Sequence, residues 1–157
     1  MHNTIANDIK EDAGIEAINL DNQCCFALYA ASRAVQRALK PYLDDLGVTY
    51  PQYLVLLVLW EKSPETVGYI GRRLMMDIGT LSPLLKRMEQ KQLITRTRGD
   101  VDERVVHIGL TQAGLEIRRR AVNMPLNKLN KDSLTEEWFY RLRQELFTII
   151  DILESEE

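Results

Sequence analysis

The chain has 157 residues, 45% of them hydrophobic, and a net charge of −3 at pH 7: enough apolar material for one globular domain with appended helices. Its longest apolar run, Tyr53–Trp60, is too short to span a bilayer, which argues against a membrane partner. The two cysteines, Cys24 and Cys25, are adjacent and build no disulfide framework, which points to a reducing, cytoplasmic setting.

The net charge hides an uneven distribution. Residues 1–21 carry one base and five acids, and residues 132–157 carry two bases and eight acids. Residues 72–104 instead carry eight bases and five acids, and residues 105–131 five bases and one acid. Negative ends around a positive middle suit recognition of a specific polyanionic site rather than general polyanion binding. An ordinary solvated surface has room for the same unevenness.

Residues 1–18 lack a basic start followed by an apolar block, so they read as a flexible N-terminal arm and not as a secretory signal. From Asp21 to Leu46 the positions Cys25, Leu28, Ser32, Val35, Leu39, Tyr42 and Leu46 recur in steps of three and four, a heptad-like helical stripe. Pro41 is expected to bend or restart this helix, and Gly47 to stop it. Thr49 and Gln52 form a capping box with Pro51 in the first turn, opening a helix to about Glu61 that is apolar almost all round. Ser63-Pro64 breaks it, and Thr66 caps a short helix to about Leu74 with Val67, Ile70 and Leu74 as its apolar positions. A turn around Asp77–Gly79 leads to a helix from Thr80 to about Gln90.

Ile94–Arg98 alternates as a strand, Gly99–Arg104 is a polar turn, and Val106, Ile108 and Leu110 face inward on the returning strand. His107 falls on the outward side, and with only His2 besides it there is no metal-ligand cluster; no metal or cofactor is expected. Thr111 starts a long helix that Pro125 bends or ends. Thr135 caps the last helix, with Leu134 and Phe139 placed as a hydrophobic staple. Along it Phe139, Leu142, Leu146, Ile149 and Leu153 again step by three and four. Two such stripes at opposite ends of a short chain need covering, most economically in a homodimer.

The order helix, turn, helix, strand, hairpin, strand predicts a mainly α (α+β) fold, a winged helix-turn-helix with N- and C-terminal dimerisation helices. The expected divisions are the arm at 1–18, a dimerisation helix carrying the cysteines at 19–47, the DNA-binding region at 48–110 and C-terminal dimerisation helices at 111–157. Within Thr80–Gln90, Leu81, Leu84, Leu85 and Met88 supply an inner face. Thr80, Ser82, Pro83, Lys86, Arg87 and Gln90 lie outward, where short hydroxyls can approach DNA closely and the bases can meet phosphates or guanine edges. Amphipathicity alone fits an ordinary surface helix equally well. Arg96 and Arg98 leave the first wing strand, and Arg104 follows the tip acids Asp100, Asp102 and Glu103. An arginine there suits an A·T-rich minor groove, with Asp102 holding Arg104 in position.

The segments LDNQCCFALYAASR, GVTYPQYLVLLVLWE, DIGTLSPLLKRMEQKQLITR and DERVVHIGLTQAG resemble the MarR family, and within it the organic-hydroperoxide-sensing repressors (OhrR type). The resemblance runs from about Leu20 to Gly114. It implies a dimeric winged-helix repressor on double-stranded DNA, at a pseudo-palindromic operator, with Thr80, Ser82, Pro83, Lys86, Arg87, Asp102 and Arg104 at the contact. It also implies that Cys25, the cysteine before the phenylalanine of Asn22-Gln23-Cys24-Cys25-Phe26, is the reactive one. Spacing places Cys25 near the start of its helix if Asp21 is the cap. The positive helix end there favours a thiolate, and the Asp21 carboxylate opposes it.

An organic hydroperoxide would convert Cys25 to a sulfenic acid and move the two reading heads off their spacing. No C-terminal resolving cysteine exists, so the resemblance implies a small thiol as the cap on the oxidised sulfur. Cys24 stands where the family usually has leucine, and its part in the sensor is left open. Of two tyrosines that the resemblance expects from the partner subunit, Tyr50 is present and the other position is Leu39, with Tyr42 as a substitute if Pro41 bends the helix. Ile78 replaces a serine and loses a hydroxyl that could have met phosphate. Three other readings stay open: a repressor released by a small aromatic ligand, a thiol peroxidase using Cys25, and a helical adaptor with a degenerate winged helix. The peroxidase lacks a nearby catalytic acid, arginine or resolving cysteine, so an enzyme is not expected.

Overall fold

The computed structural model describes residues 19–99, 105–122 and 135–155. The arm at 1–18, the hairpin tip with Asp102 and Arg104, Pro125 and the Leu134 half of the staple lie outside them. Two compact units make up the chain, one to Arg119 and one from Arg120.

In the first unit a short 3-10 turn, Leu20–Asn22, precedes helix α1, Cys24–Leu46. Gln23, not Asp21, is the N-cap, so both cysteines fall in the first turn. Pro41 neither ends nor restarts α1, which runs through it as one helix. The ladder bond that Pro41 cannot donate is offset by buried Leu39, Leu43 and Leu46, which hold both sides of it against the body. Leu43, and not Tyr42, faces the core; Tyr42 is exposed. Gly47 ends the helix in the left-handed region (φ 72°), and the N–H groups of Gly47 and Val48 donate to the carbonyls of Asp44 and Leu43.

Helix α2, Tyr50–Glu61, opens with the expected capping box: Thr49 N–H donates to Gln52 Oε1 at 3.0 Å, and Gln52 N–H donates to Thr49 Oγ1 at 3.5 Å. Tyr53, Val55, Leu56, Val58 and Leu59 are all buried, which makes α2 the central element. Strand β1, Glu65–Thr66, runs into α3, Val67–Leu74, where the Thr66 hydroxyl accepts from Tyr69 N–H at 3.1 Å. Helix α4 spans Ile78–Gln90, two residues longer at its start than expected, because Asp77 caps it.

Strands β2, Ile94–Arg98, and β3, Val106–Leu110, form an antiparallel hairpin in which Arg96 faces Ile108 and Arg98 faces Val106. β1 pairs on the other side of β3, so the sheet order is β1-β3-β2. Ile108 is fully buried, while Val106, His107 and Leu110 are half-buried; His107 is therefore less outward than its register alone suggests. Helix α5, Gln112–Ala121, begins after Thr111, whose hydroxyl accepts from Gly114 N–H at 3.1 Å.

In the second unit α6, Glu136–Glu154, is capped by Thr135, which accepts from Trp138 N–H at 3.1 Å. None of its residues is buried, and Leu142, Phe147, Ile149, Ile152 and Leu153 are exposed. Among the described residues no helix is long and apolar enough to cross a membrane, and no group of metal-binding side chains is gathered.

Candidate nucleic-acid interface and cysteine site

Helices α3 and α4 meet through a tight turn. Met75 takes the left-handed conformation (φ 52°) and Met76 N–H donates to the Gly71 carbonyl at 2.9 Å. Gly71 has no room to spare: a Cβ there would stand 3.0 Å from the Met76 carbonyl oxygen and 3.6 Å from Leu81 Cδ2. Leu81, Leu85 and Met88 are fully buried and Leu84 nearly so, which anchors α4 by its inner face. Each such side chain contributes about 1.5–3 kcal/mol of burial, far more than helix propensity supplies.

The opposite face carries Thr80, Pro83, Lys86 and Arg87, all exposed, with Ser82 half-buried between them. Five of the seven residues expected at the DNA contact thus share one face of one helix; Asp102 and Arg104 lie outside the described residues. Thr80 is less free than its exposure implies. Its N–H donates to Asp77 Oδ1 at 2.8 Å and its hydroxyl donates to Asp77 Oδ2 at 2.6 Å. The hydroxyl hydrogen is therefore committed, and Thr80 can meet a base only as an acceptor or through its methyl. These same two bonds, the hydroxyl's first, hold the Asp77 carboxyl below the ordinary carboxylate value. Asp77 is missing from the sequence-based contact set. Its signal was an acid three residues ahead of Thr80, a capping pattern eclipsed by the glycine in between.

In the wing, Gly99 N–H donates to the Val105 carbonyl at 2.8 Å and closes the hairpin. Arg98 is exposed. Arg96 is half-buried and forms a loose ion pair with Glu89 of α4 at 3.8 Å, which links the wing to that helix.

Cys24 and Cys25 are free and exposed at the first two positions of α1. The N-cap Gln23 makes no side-chain cap hydrogen bond, so both cysteines sit at the positive end of the α1 backbone. One turn on, Arg33 Nη1 donates to the Tyr29 hydroxyl at 2.8 Å and the guanidinium lies 5.5 Å from the ring centre. Tyr50 opens α2 and lines a cavity of about 470 Å³ between α1 and the start of α2, together with Arg33, Arg37, Lys40 and Leu43. Lys40 is paired with Asp44 at 2.6 Å. Within one chain Tyr50 belongs to this cavity, whose lining does not include Cys25. Leu39 is buried in the core, and Tyr42 points to solvent. In the first turns of α1, Phe26, Leu28 and Tyr29 are exposed.

A helix-turn-helix backed by a three-stranded sheet, with hydroxyls and bases on the outer face of its second helix, defines a winged-helix DNA-binding protein. Residues 37–120 match the family described as transcriptional regulator SarA/Rot. The chain is 46% identical over 136 residues to the organic hydroperoxide resistance transcriptional regulator of Bacillus subtilis, covering 87% of this chain and 92% of that protein. It is similar to AbfR, a protein of Staphylococcus epidermidis solved in several states. Reduced AbfR bound to DNA superposes with a TM-score of 0.68 at 38% identity, over 86% of this chain and 97% of that one. Overoxidised AbfR bound to DNA gives 0.68 at 39%, over 85% and 97%. The chain belongs to the MarR family of winged-helix transcriptional regulators, in its SarA/Rot branch, and is a DNA-binding regulator of transcription.

Proposed function

We propose that the protein is a homodimeric repressor that senses organic hydroperoxides through Cys25 and lets go of a pseudo-palindromic operator when oxidised. The observation that carries this reading is Cys25 itself, a free, exposed thiol in the uncapped first turn of α1, in a chain 46% identical to an organic hydroperoxide resistance regulator. The Cys25 thiolate attacks the peroxide; the O–O bond breaks, sulfur takes one oxygen as sulfenic acid, and the alkoxide leaves as alcohol after gaining a proton. A small thiol then condenses with the sulfenic acid, releasing water and leaving a mixed disulfide. Exposed apolar side chains in the same turns of α1, Phe26 and Leu28, favour hydroperoxides with an organic tail.

Dimerisation is supported by what each unit leaves bare, the N-terminal half of α1 and the apolar positions of α6. Two copies related by a twofold axis bring two α4 helices to adjacent half-sites about 34–36 Å apart, and a change at Cys25 that alters this spacing weakens both contacts together. Thr80, Ser82, Pro83, Lys86 and Arg87 form the contact in this reading, with Asp102 and Arg104 reaching from the wing. The test is peptide mass spectrometry after one equivalent of cumene hydroperoxide. The reading expects one added oxygen on Cys25, and the mass of a small thiol there when one is supplied. DNA release with Cys25 unmodified would overturn it.

A second reading has its own observation. The cavity lined by Tyr50, Arg33 and Arg37, with Lys40 paired to Asp44 at its edge, keeps a net positive charge and has the size of a small-ligand site, which fits release by an aromatic acid. Release that survives replacement of Cys25 favours this ligand-driven form.

A further inference from the structure

The start of α4 has a feature that the hydroxyls and bases of the outer face do not account for. Ile78, the first residue of α4, is 53% exposed although it is large, branched and wholly apolar. Its Cδ1 leans over α3, 3.8 Å from where a Cβ on Gly71 would stand, so one side of the side chain is supported and the other is bare. Met75, in the turn before α4, is as exposed as Ile78; the other exposed groups at the helix start are polar, Asp77 and Thr80, tied to each other, with Lys86 and Arg87 further along α4.

The first residues of a recognition helix are those that reach base edges in the major groove. A bare isoleucine there has nothing to offer a phosphate oxygen, a ring nitrogen or an amino group, each of which would lose water without gaining a bond. The one apolar group on the floor of the major groove is the C5-methyl of thymine. We propose that Ile78 reads thymine by packing on that methyl, and so sets one base in each operator half-site. The inference rests on the DNA-binding class of the chain and is independent of Cys25.

The stiffness of the branched side chain gives the contact its selectivity. A β-branched residue in a helix keeps essentially one χ1 rotamer, so little freedom is lost when the methyl docks. Cytosine at that position would present hydrogen in place of the methyl and an amino donor beside it, and would bind more weakly.

The test uses the duplex that reduced full-length protein selects from a random pool, with each thymine replaced in turn by deoxyuridine, which lacks only the methyl. Removing one buried methyl corresponds to about a fourfold loss of affinity, and removing it from both half-sites to more than about tenfold. Fluorescence anisotropy should show this loss at one symmetry-related pair of thymines, and Ile78→Ser should bind the two duplexes equally. Ile78→Val, which keeps an apolar tip, should retain part of the discrimination, and circular dichroism of both variants checks that α4 is intact. Uniform affinity of wild type across all deoxyuridine duplexes overturns the proposal. So does a methyl effect that persists undiminished in Ile78→Ser, which would assign it to another side chain such as Thr80 or Pro83. Failure of wild type to select any duplex from the pool overturns the proposal together with the reading of α4.

Discussion

Gly114→Ala is a substitution whose sign the structure decides against the usual rule. In a helix alanine is ordinarily better than glycine by about 1 kcal/mol, and Gly114 sits in the first turn of α5. Here a Cβ would overlap the Leu93 carbonyl oxygen and stand 3.0 Å from Leu110 Cδ2. The Leu93 oxygen is backbone, held between α4 and β2, and already accepts from Thr111 N–H at 3.2 Å. It cannot swing aside as a flexible side chain would. Relief requires α5 to move away, which strains the bond from Trp60 Nε1 to the Gly114 carbonyl (3.1 Å) and that from the Thr111 hydroxyl to the Gln92 carbonyl (2.6 Å). Overpacking costs about 1–3 kcal/mol and a weakened hydrogen bond about 1 kcal/mol more. Set against the propensity gain, the net is a destabilisation of about 1–3 kcal/mol. Urea unfolding at fixed protein concentration should show a lower midpoint with unchanged slope, and thermal unfolding a Tm lower by about 2–4 °C for each kcal/mol of destabilisation. A variant as stable as wild type, or more so, would refute the reasoning.

The same geometry sets three further expectations. Because the Asp77 carboxyl is held below its ordinary value of 3.8, its cap contributes fully above that pH and is lost as pH falls through the lowered value. Asp77→Ala should therefore be less stable than wild type at pH 7 and converge with it in strong acid, as read by thermal unfolding at several pH values. Lys86→Ala or Arg87→Ala should weaken binding to all duplexes and flatten the slope of log K against log salt by about 0.9 for each phosphate left without its cation. Arg96→Ala should change that slope less, since Arg96 is half-buried and its charge is partly offset by Glu89. Ile149→Glu with Leu153→Glu, both on the bare face of α6, should halve the molar mass seen by light scattering; a persistent dimer would remove α6 from the interface.

Much of this architecture is legible in local residue patterns. Thr49 with Gln52, Thr66 and Thr135 mark helix starts because capping is a short-range hydrogen-bond pattern that sequence spacing displays directly. The buried face of α4, Leu81 to Met88, follows from its period alone. What the pattern misses is decided by contacts between elements. Pro41 stays inside α1 because Leu39, Leu43 and Leu46 are anchored by the rest of the first unit, which no local rule registers. Arg96 reads as a wing arginine along the strand, and only the packing of β2 against α4 brings it to Glu89. In the candidate site, the outward set on α4 agrees with its periodicity, whereas the exposure of Cys25, which its place on the apolar stripe does not suggest, Thr80's bond to Asp77 and the α1–α2 cavity around Tyr50 emerge only in three dimensions.

The central claim is that oxidation of Cys25 governs DNA binding. It is tested most directly by fluorescence anisotropy of reduced protein on its selected duplex, with cumene hydroperoxide titrated into wild type, Cys24→Ser and Cys25→Ser in parallel. The account predicts release of wild type near one equivalent per chain, reversal by excess thiol reductant, and no release of Cys25→Ser. Release of Cys25→Ser at the same peroxide concentration as wild type would contradict it.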